Sequence, residues 1–298
     1  MPSPATRKVA APIHGGAEKL PPWAAPGDIL AIATSSDPWS PAVSVAIALA
    51  ARWGSRLTGC YIAPSLRRVA AADMEPSMLG MLVQPRGEDD GERDAFAAHA
   101  RRLGVAEAEW MATHAGLAPT LRALGAWHDL AVLERDVVEG TRLFDVLSEA
   151  MANSRLPCLL LPPGWNGGLE PGRVVVAWNG SIEATRAIHG ALPFLQAATE
   201  VLLLDGGERG ADADDDARRV PRFDPLDYLW RHRVTARSQP IHAPPQEAGM
   251  ALLQAARGIR AELLVMGSYS HSQLRERILG GATGHVLAHA HLPVLMQH

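Results

Sequence analysis

Lysine is almost missing from this chain. Among 298 residues the only two are Lys8 and Lys19, and every other strong base is arginine. A phosphate-loop lysine, a Schiff-base lysine and a catalytic lysine are therefore excluded from the folded body. Cysteine is equally scarce. Cys60 and Cys158 each sit inside an apolar, strand-like run, which reads as two reduced core residues rather than a disulfide or a metal pair and fits a cytoplasmic setting. Excess positive charge is absent too: a net charge of −4 and a pI near 6.3 argue against a nucleic-acid partner, because nothing would displace counterions from phosphates. No apolar run approaches the ~20 residues that cross a bilayer, so no membrane contact is expected. Residues 1–26 hold Arg7 and Lys8 without a continuous apolar core, so a secretory signal is not expected. Their proline, alanine and glycine content reads as a flexible leader.

What is present is alternation. With 47% hydrophobic residues and both charge signs mixed, the length suffices for two domains of ordinary size. Strands are expected at Asp28–Ala33, Leu57–Ala63, around Ala108–Thr113, at Leu130–Leu133 and at Pro157–Leu161. Helices are expected from Pro41 to Trp53, about Glu88 to Leu103, Leu117 to Trp127 and about Thr141 to Asn153, with a proline-broken connection from Pro64 to Gly87. Pro41 suits a first helical turn and Gly54 a stop. Strand–helix alternation of this kind calls for a parallel sheet covered on both faces.

The stretch Pro162–Gly172 is dense in proline and glycine, and after it the order starts again. Strands are expected at Arg173–Ala177, Val201–Leu204, Val234–Ile241, Leu263–Met266 and from Val294. Helices are expected at Ile182–Leu195, Leu226–Arg231, Gln246–Arg257 and through Val286, Leu287 and Ala290, and an acidic section spans Gly206–Val220. A repeat of about 140 residues is too long for a solenoid and means two copies of one domain. The expected division is a leader at 1–26, a first domain at 27–163, a linker at 164–171 and a second domain at 172–298. Gly27 corresponds to Gly172, Leu130–Leu133 to Leu263–Met266, and Leu156-Pro157 to Leu292-Pro293.

The two copies differ where chemistry would sit. After Met266 the second copy has Gly267, hydroxyls at Ser268, Ser270 and Ser272, and then Gly280 and Gly281 just before a helical pattern. Backbone N–H groups in such a turn, aided by the helix dipole, hold phosphate without lysine. At the same place the first copy has Glu134, Arg135 and Asp136 and lacks paired glycines. Carboxylates repel phosphate, so the first copy reads as a domain that kept the fold and lost the site.

The Gly267…Gly280 run resembles the C-terminal signature of the universal stress protein family. Ser270 stands where a middle glycine is usual and Gly281 where a hydroxyl residue is usual, while Thr283 matches a threonine common just after. The resemblance covers nearly the whole chain after the leader. It implies an α/β fold of two tandem, doubly wound, parallel five-stranded sheets with helices on both faces, of the adenine nucleotide alpha hydrolase-like (Rossmann-like) type. It implies adenine-nucleotide binding, ATP or AMP with or without magnesium, in the second copy. By position, Ala177, Trp178 and Asn179 would face adenine and ribose and Gly206 would lie near the base. Met266, Gly267, Ser270, His271, Gly280, Gly281, Ala282 and Thr283 would surround ribose and phosphates. Asn179 replaces a usual aspartate and keeps an amide acceptor. Arg275 and Arg277 could add positive charge.

Other constellations are weaker. His285 and His289 share a helical i, i+4 spacing with His291 and His298 nearby, but no metalloprotease glutamate follows His285, so solvated histidines are favoured over a metal. Ser270, His271 and Ser272 lack a nucleophile elbow. The acidic run Asp212–Asp216 lacks calcium-loop spacing. Trp178 could stack on a base or cover the sheet top. Three functional classes follow: a nucleotide-responsive regulator acting on a protein partner, a nucleotide-free scaffold, and a slow ATPase, for which no carboxylate pair or metal cluster speaks. The expectation is a non-enzymatic cytoplasmic regulator. The last strand of each copy offers an edge for docking the domains or for a homodimer. An electron-transfer-flavoprotein-like or response-regulator-like sheet is the fold alternative.

Overall fold

The computed structural model describes residues 25–63, 90–137, 143–206, 224–244, 246–268 and 281–298. The first half runs β1 (Asp28–Ala33), α1 (Pro41–Trp53), β2 (Arg56–Ile62), α2 (Asp90–Arg102), β3 (Ala108–Thr113), α3 (Leu117–Leu124), β4 (Leu130–Glu134), α4 (Leu143–Ser154) and β5 (Cys158–Leu161). The second runs β6 (Arg173–Trp178), α5 (Ile182–Ala197), β7 (Glu200–Asp205), α6 (Pro225–Arg231), β8 (Ala236–Pro240), α7 (Ala248–Gly258), β9 (Leu263–Gly267), α8 (Ala282–His289) and β10 (Val294–Gln297).

The strands form one sheet in the order β3-β2-β1-β4-β5-β10-β9-β6-β7-β8. Neighbours within each half are parallel, and β5 pairs β10 antiparallel, with Leu160 opposite Val294 and Cys158 opposite Met296. The expected pair of five-stranded sheets is thus fused into one of ten. The sequence offered these last strands as a docking edge, and the structure uses that edge inside the chain, leaving it closed to a second copy. Successive residues point to opposite faces, and both faces are covered. Ile29 and Ala31 join a core with α1, α2, α5 and α6, whereas Leu30 and Ile32 join one with α3, α4, α7 and α8. Trp53 of α1 meets Phe194 of α5 edge-on at 5.1 Å, and Gly190 of α5 lies against Pro157 ahead of β5. Among the described residues no helix is long and apolar enough to cross a membrane.

The internal repeat extends to individual hydrogen bonds. Asp129 Oδ2 accepts from the N–H groups of Gly27 and Asp28 at 2.8 and 3.0 Å, and Glu262 Oε2 accepts from those of Gly172 and Arg173 at 2.6 and 3.0 Å. Ala131 N–H donates to Pro157 O, and Leu264 N–H to Pro293 O. We expect Asp129→Ala and Glu262→Ala to lower stability by similar amounts, about 1 kcal/mol each, since each strips two exposed amides of one acceptor. The half-exposed ion pair of Glu262 with Arg173 adds little. Urea unfolding of the two variants checks this.

Local chemistry sets the boundaries. Pro41 opens α1 and Gly54, at φ 73°, closes it with its N–H on Ala50 O. The strand expected from Val234 begins only at Ala236, because Val234 N–H turns back to Leu229 O after Arg233 at φ 61°. Cys60 and Cys158 are wholly buried and unpaired to each other, and burial pushes both thiols up to about 12. Native protein should therefore resist thiol reagents at pH 8 until it unfolds. Because both folded values exceed the ordinary 9.0, stability is unaffected below pH 9 and falls as pH climbs toward about 12.

Candidate functional site at the carboxyl ends of the second-half strands

Open parallel sheets bind ligands outside the carboxyl ends of their strands. In the second half, β6 ends at Trp178, β7 at Asp205 and β9 at Gly267. Gly206 N–H donates to Trp178 O at 2.7 Å, which brings those two candidate residues together. Val176 pairs with Val265, so along that register Ala177 and Trp178 lie level with Met266 and Gly267 on neighbouring strands. Ala177, Trp178, Gly206, Met266 and Gly267 thus share one edge. Trp178 is half-buried against the α1/α5 core, which favours its covering of the sheet over base stacking.

Asn179 is exposed, but its Oδ1 accepts the Ser181 N–H at 3.1 Å, and Ser181 Oγ accepts the Ala184 N–H at 3.1 Å. The amide oxygen that the sequence offered to a ligand therefore starts α5 through an Asx turn and a serine cap. Gly267 is required sterically. A Cβ there would stand 2.6 Å from Ala184 N and 2.7 Å from the Glu183 carbonyl carbon, so the end of β9 lies directly on the first turn of α5.

Because β9 and β10 are parallel neighbours, their crossover helix α8 begins at the end where β9 finishes. Gly281 is its N-cap, with no side-chain cap and no acidic residue in the first turn, and a Cβ at Gly281 would meet open space. The N–H groups at Ala282 and Thr283 have no partner within the helix and stand at its positive end. Ser270, His271 and Gly280, with Arg275 and Arg277, lie outside the described residues.

Ser268, which the sequence offered only as one of three hydroxyls, takes a definite place, and Gly249 was missed from sequence. Ser268 is fully buried, its N–H donates to Gln297 O at 2.9 Å, its carbonyl accepts from His298 Nδ1 at 3.0 Å, and its Oγ has no partner among the described residues. Gly249 in α7 abuts α8, where a Cβ would come within 2.8 Å of Ala282 O. The only sequence signal for it was the small pair Ala248-Gly249. Of the histidines, His285 and His289 stack at 4.3 Å, with His289 Nδ1 donating to His285 O. Burial and His289 together hold His285 below the ordinary histidine value.

The first half supplies an internal comparison. Ile29 pairs with Leu130 as Val174 pairs with Leu263, which makes Glu134 the counterpart of Gly267 and Thr34 that of Asn179. Glu134 Oε1 accepts from Thr34 Oγ1 at 3.0 Å and, more distantly, from the Ala42 N–H in the first turn of α1 at 3.5 Å. A carboxylate of the chain itself thus stands at the end of β4, where the matching end of β9 carries no side chain and the first turn of α5 closes directly onto Gly267. Next to it, Arg135 Nη1 donates to Ala290 O at the end of α8 at 2.9 Å, and burial lowers this guanidinium from its ordinary value.

Residues 171–298 match the sequence model described as the Universal stress protein family. None of the curated proteins matches the chain in sequence. Among solved structures, a universal stress protein from Archaeoglobus fulgidus DSM 4304 is 14% identical with a TM-score of 0.55, covering 91% of this chain and 95% of its own. A putative universal stress protein from Pseudomonas aeruginosa UCBPP-PA14 is 13% identical with a TM-score of 0.59, covering 92% of this chain and 94% of its own. A functionally unknown protein from Pseudomonas aeruginosa PAO1 is 14% identical with a TM-score of 0.59, covering 92% and 93%. At these identities the likeness is one of fold.

Proposed function

Since residues 171–298 belong to the universal stress protein family, we propose that the chain is a non-enzymatic stress-response regulator that binds one adenine nucleotide, ATP or AMP, in its second half. The observation that carries this is the paired difference between the halves: Gly267, which brings no carboxylate, against Glu134, which is bonded to Thr34 and reaches toward the first turn of α1. A nucleotide phosphate needs donors and no competing anion. The second half offers the uncapped first turn of α8, whereas the first half presents a carboxylate to its own helix. Occupancy would be read by a protein partner in the cytoplasm, with the fused sheet carrying the first half as a fixed companion. The nucleotide-free scaffold has one observation in its favour, the commitment of Asn179 Oδ1 to the turn before α5.

Calorimetric titration of ATP, AMP and GTP into the full chain tests the proposal. Saturable binding of ATP or AMP, with GTP at least tenfold weaker and no turnover of ATP above background, is the expected result. Absence of binding at millimolar ATP and AMP would leave the scaffold.

A further inference from the structure

At the opposite ends of α7 and α8, away from the strand carboxyl ends, lies an open cavity of about 290 Å³. That is near the low end of the roughly 300–1,000 Å³ typical of small-molecule sites. Its lining combines Leu253 and Leu292 with Arg257, Arg260, His289 and His291, and no carboxylate is among the described lining residues. Glu262, the nearest acid in sequence, is already spent on Arg173 and on two backbone amides. Neither Arg257 nor Arg260 is engaged by a carboxylate among the described residues. The Arg260 backbone is also fixed. It sits at φ 54°, its N–H donates to Arg257 O, and its carbonyl accepts from Arg173 Nε at 2.9 Å. A non-glycine residue in that region is uncommon.

Cations at helix C-termini complement the dipole in any protein, so the other half of the chain serves as a control. By the strand register, Leu124 and Trp127 stand in the first half where Arg257 and Arg260 stand in the second, Asn153 where His289 stands, and Arg155 where His291 stands. The fold therefore does not require basic residues at three of these four places, and the pair of arginines is particular to the second half. Two guanidiniums and two imidazoles around an apolar floor select a ligand with one anionic end and one apolar body. We infer that this cavity binds a small organic carboxylate of medium chain length, its carboxylate between Arg257, Arg260 and the two histidines and its chain on Leu253 and Leu292. The site is separate from the strand edge proposed for nucleotide and does not rest on it.

Octanoate is the probe, titrated into the full chain and followed through histidine ring resonances, with His289→Gln and His291→Gln assigning the two signals. Inorganic phosphate supplies charge without an apolar body, and hexanol the reverse. The expected result is saturable movement of both signals with octanoate, at least tenfold weaker response to either control, and at least a tenfold loss of octanoate affinity in Arg257→Gln/Arg260→Gln. These exposed substitutions leave ATP affinity unchanged. No saturable shift at the solubility limit of octanoate, an equal response to phosphate or hexanol alone, or undiminished affinity in the double variant would overturn the inference.

Discussion

Gly281→Asp is expected to leave the fold intact and to weaken ATP binding by about a hundredfold. Position 281 is the N-cap of α8 and a Cβ there meets open space, while aspartate is a favoured cap, so stability should hold or rise by about a few tenths of a kcal/mol. The same carboxylate stands where a phosphate is proposed to approach. At an effective dielectric near 20, two charges about 6 Å apart repel by roughly 3 kcal/mol, which is about two orders of magnitude in affinity. Gly281→Asn adds the cap without the charge and should retain most of the binding. Thermal denaturation and calorimetry on the three proteins separate the effects. Equal ATP affinity in all of them would remove the phosphate from the start of α8.

Gly267→Ala should cost about 2–4 kcal/mol of stability, although it adds a single methyl. The atoms that methyl would meet at 2.6 and 2.7 Å are backbone atoms of Ala184 and Glu183, and backbone in the first turn of a capped helix cannot swing aside as a long side chain can. Either the end of β9 or the start of α5 must move, and both carry the proposed site. The control is Gly281→Ala, where the same methyl enters open space and the change should stay within about 1 kcal/mol. Urea unfolding of the pair gives the contrast directly. Similar midpoints for both variants would mean that β9 and α5 are not in firm contact.

The sequence made the layers legible because burial on both faces leaves little room for polar residues. Ile29–Ala33 and Leu263–Met266 are near-continuous apolar runs, and nearly every strand falls within a residue or two of its expected place. The repeat was legible through punctuation, in Gly27 and Gly172 and in the two Leu-Pro pairs. What stayed hidden depends on contacts distant in sequence. The bond from Thr34 to Glu134 spans 100 residues, and the approach of Gly249 to Ala282 joins two helices across a strand. Asn179 was legible as a polar residue at a strand end, but a residue two positions from Ser181 can serve the turn as readily as a ligand, and only the hydrogen-bond geometry decides which. The fusion into one sheet was half legible: β5 and β10 were marked as edges, but nothing in their composition sets the antiparallel register of Leu159 with Leu295.

The proposed asymmetry, two copies of one framework of which the second alone would take nucleotide, is open to a direct count. Equilibrium dialysis of the full chain against labelled ATP, analysed for stoichiometry, tests it most directly. Saturation at one ATP per chain is expected, unchanged by Glu134→Gln and shifted to about hundredfold higher ATP in Gly281→Asp. Saturation at two per chain, or no binding at millimolar ATP, would contradict it.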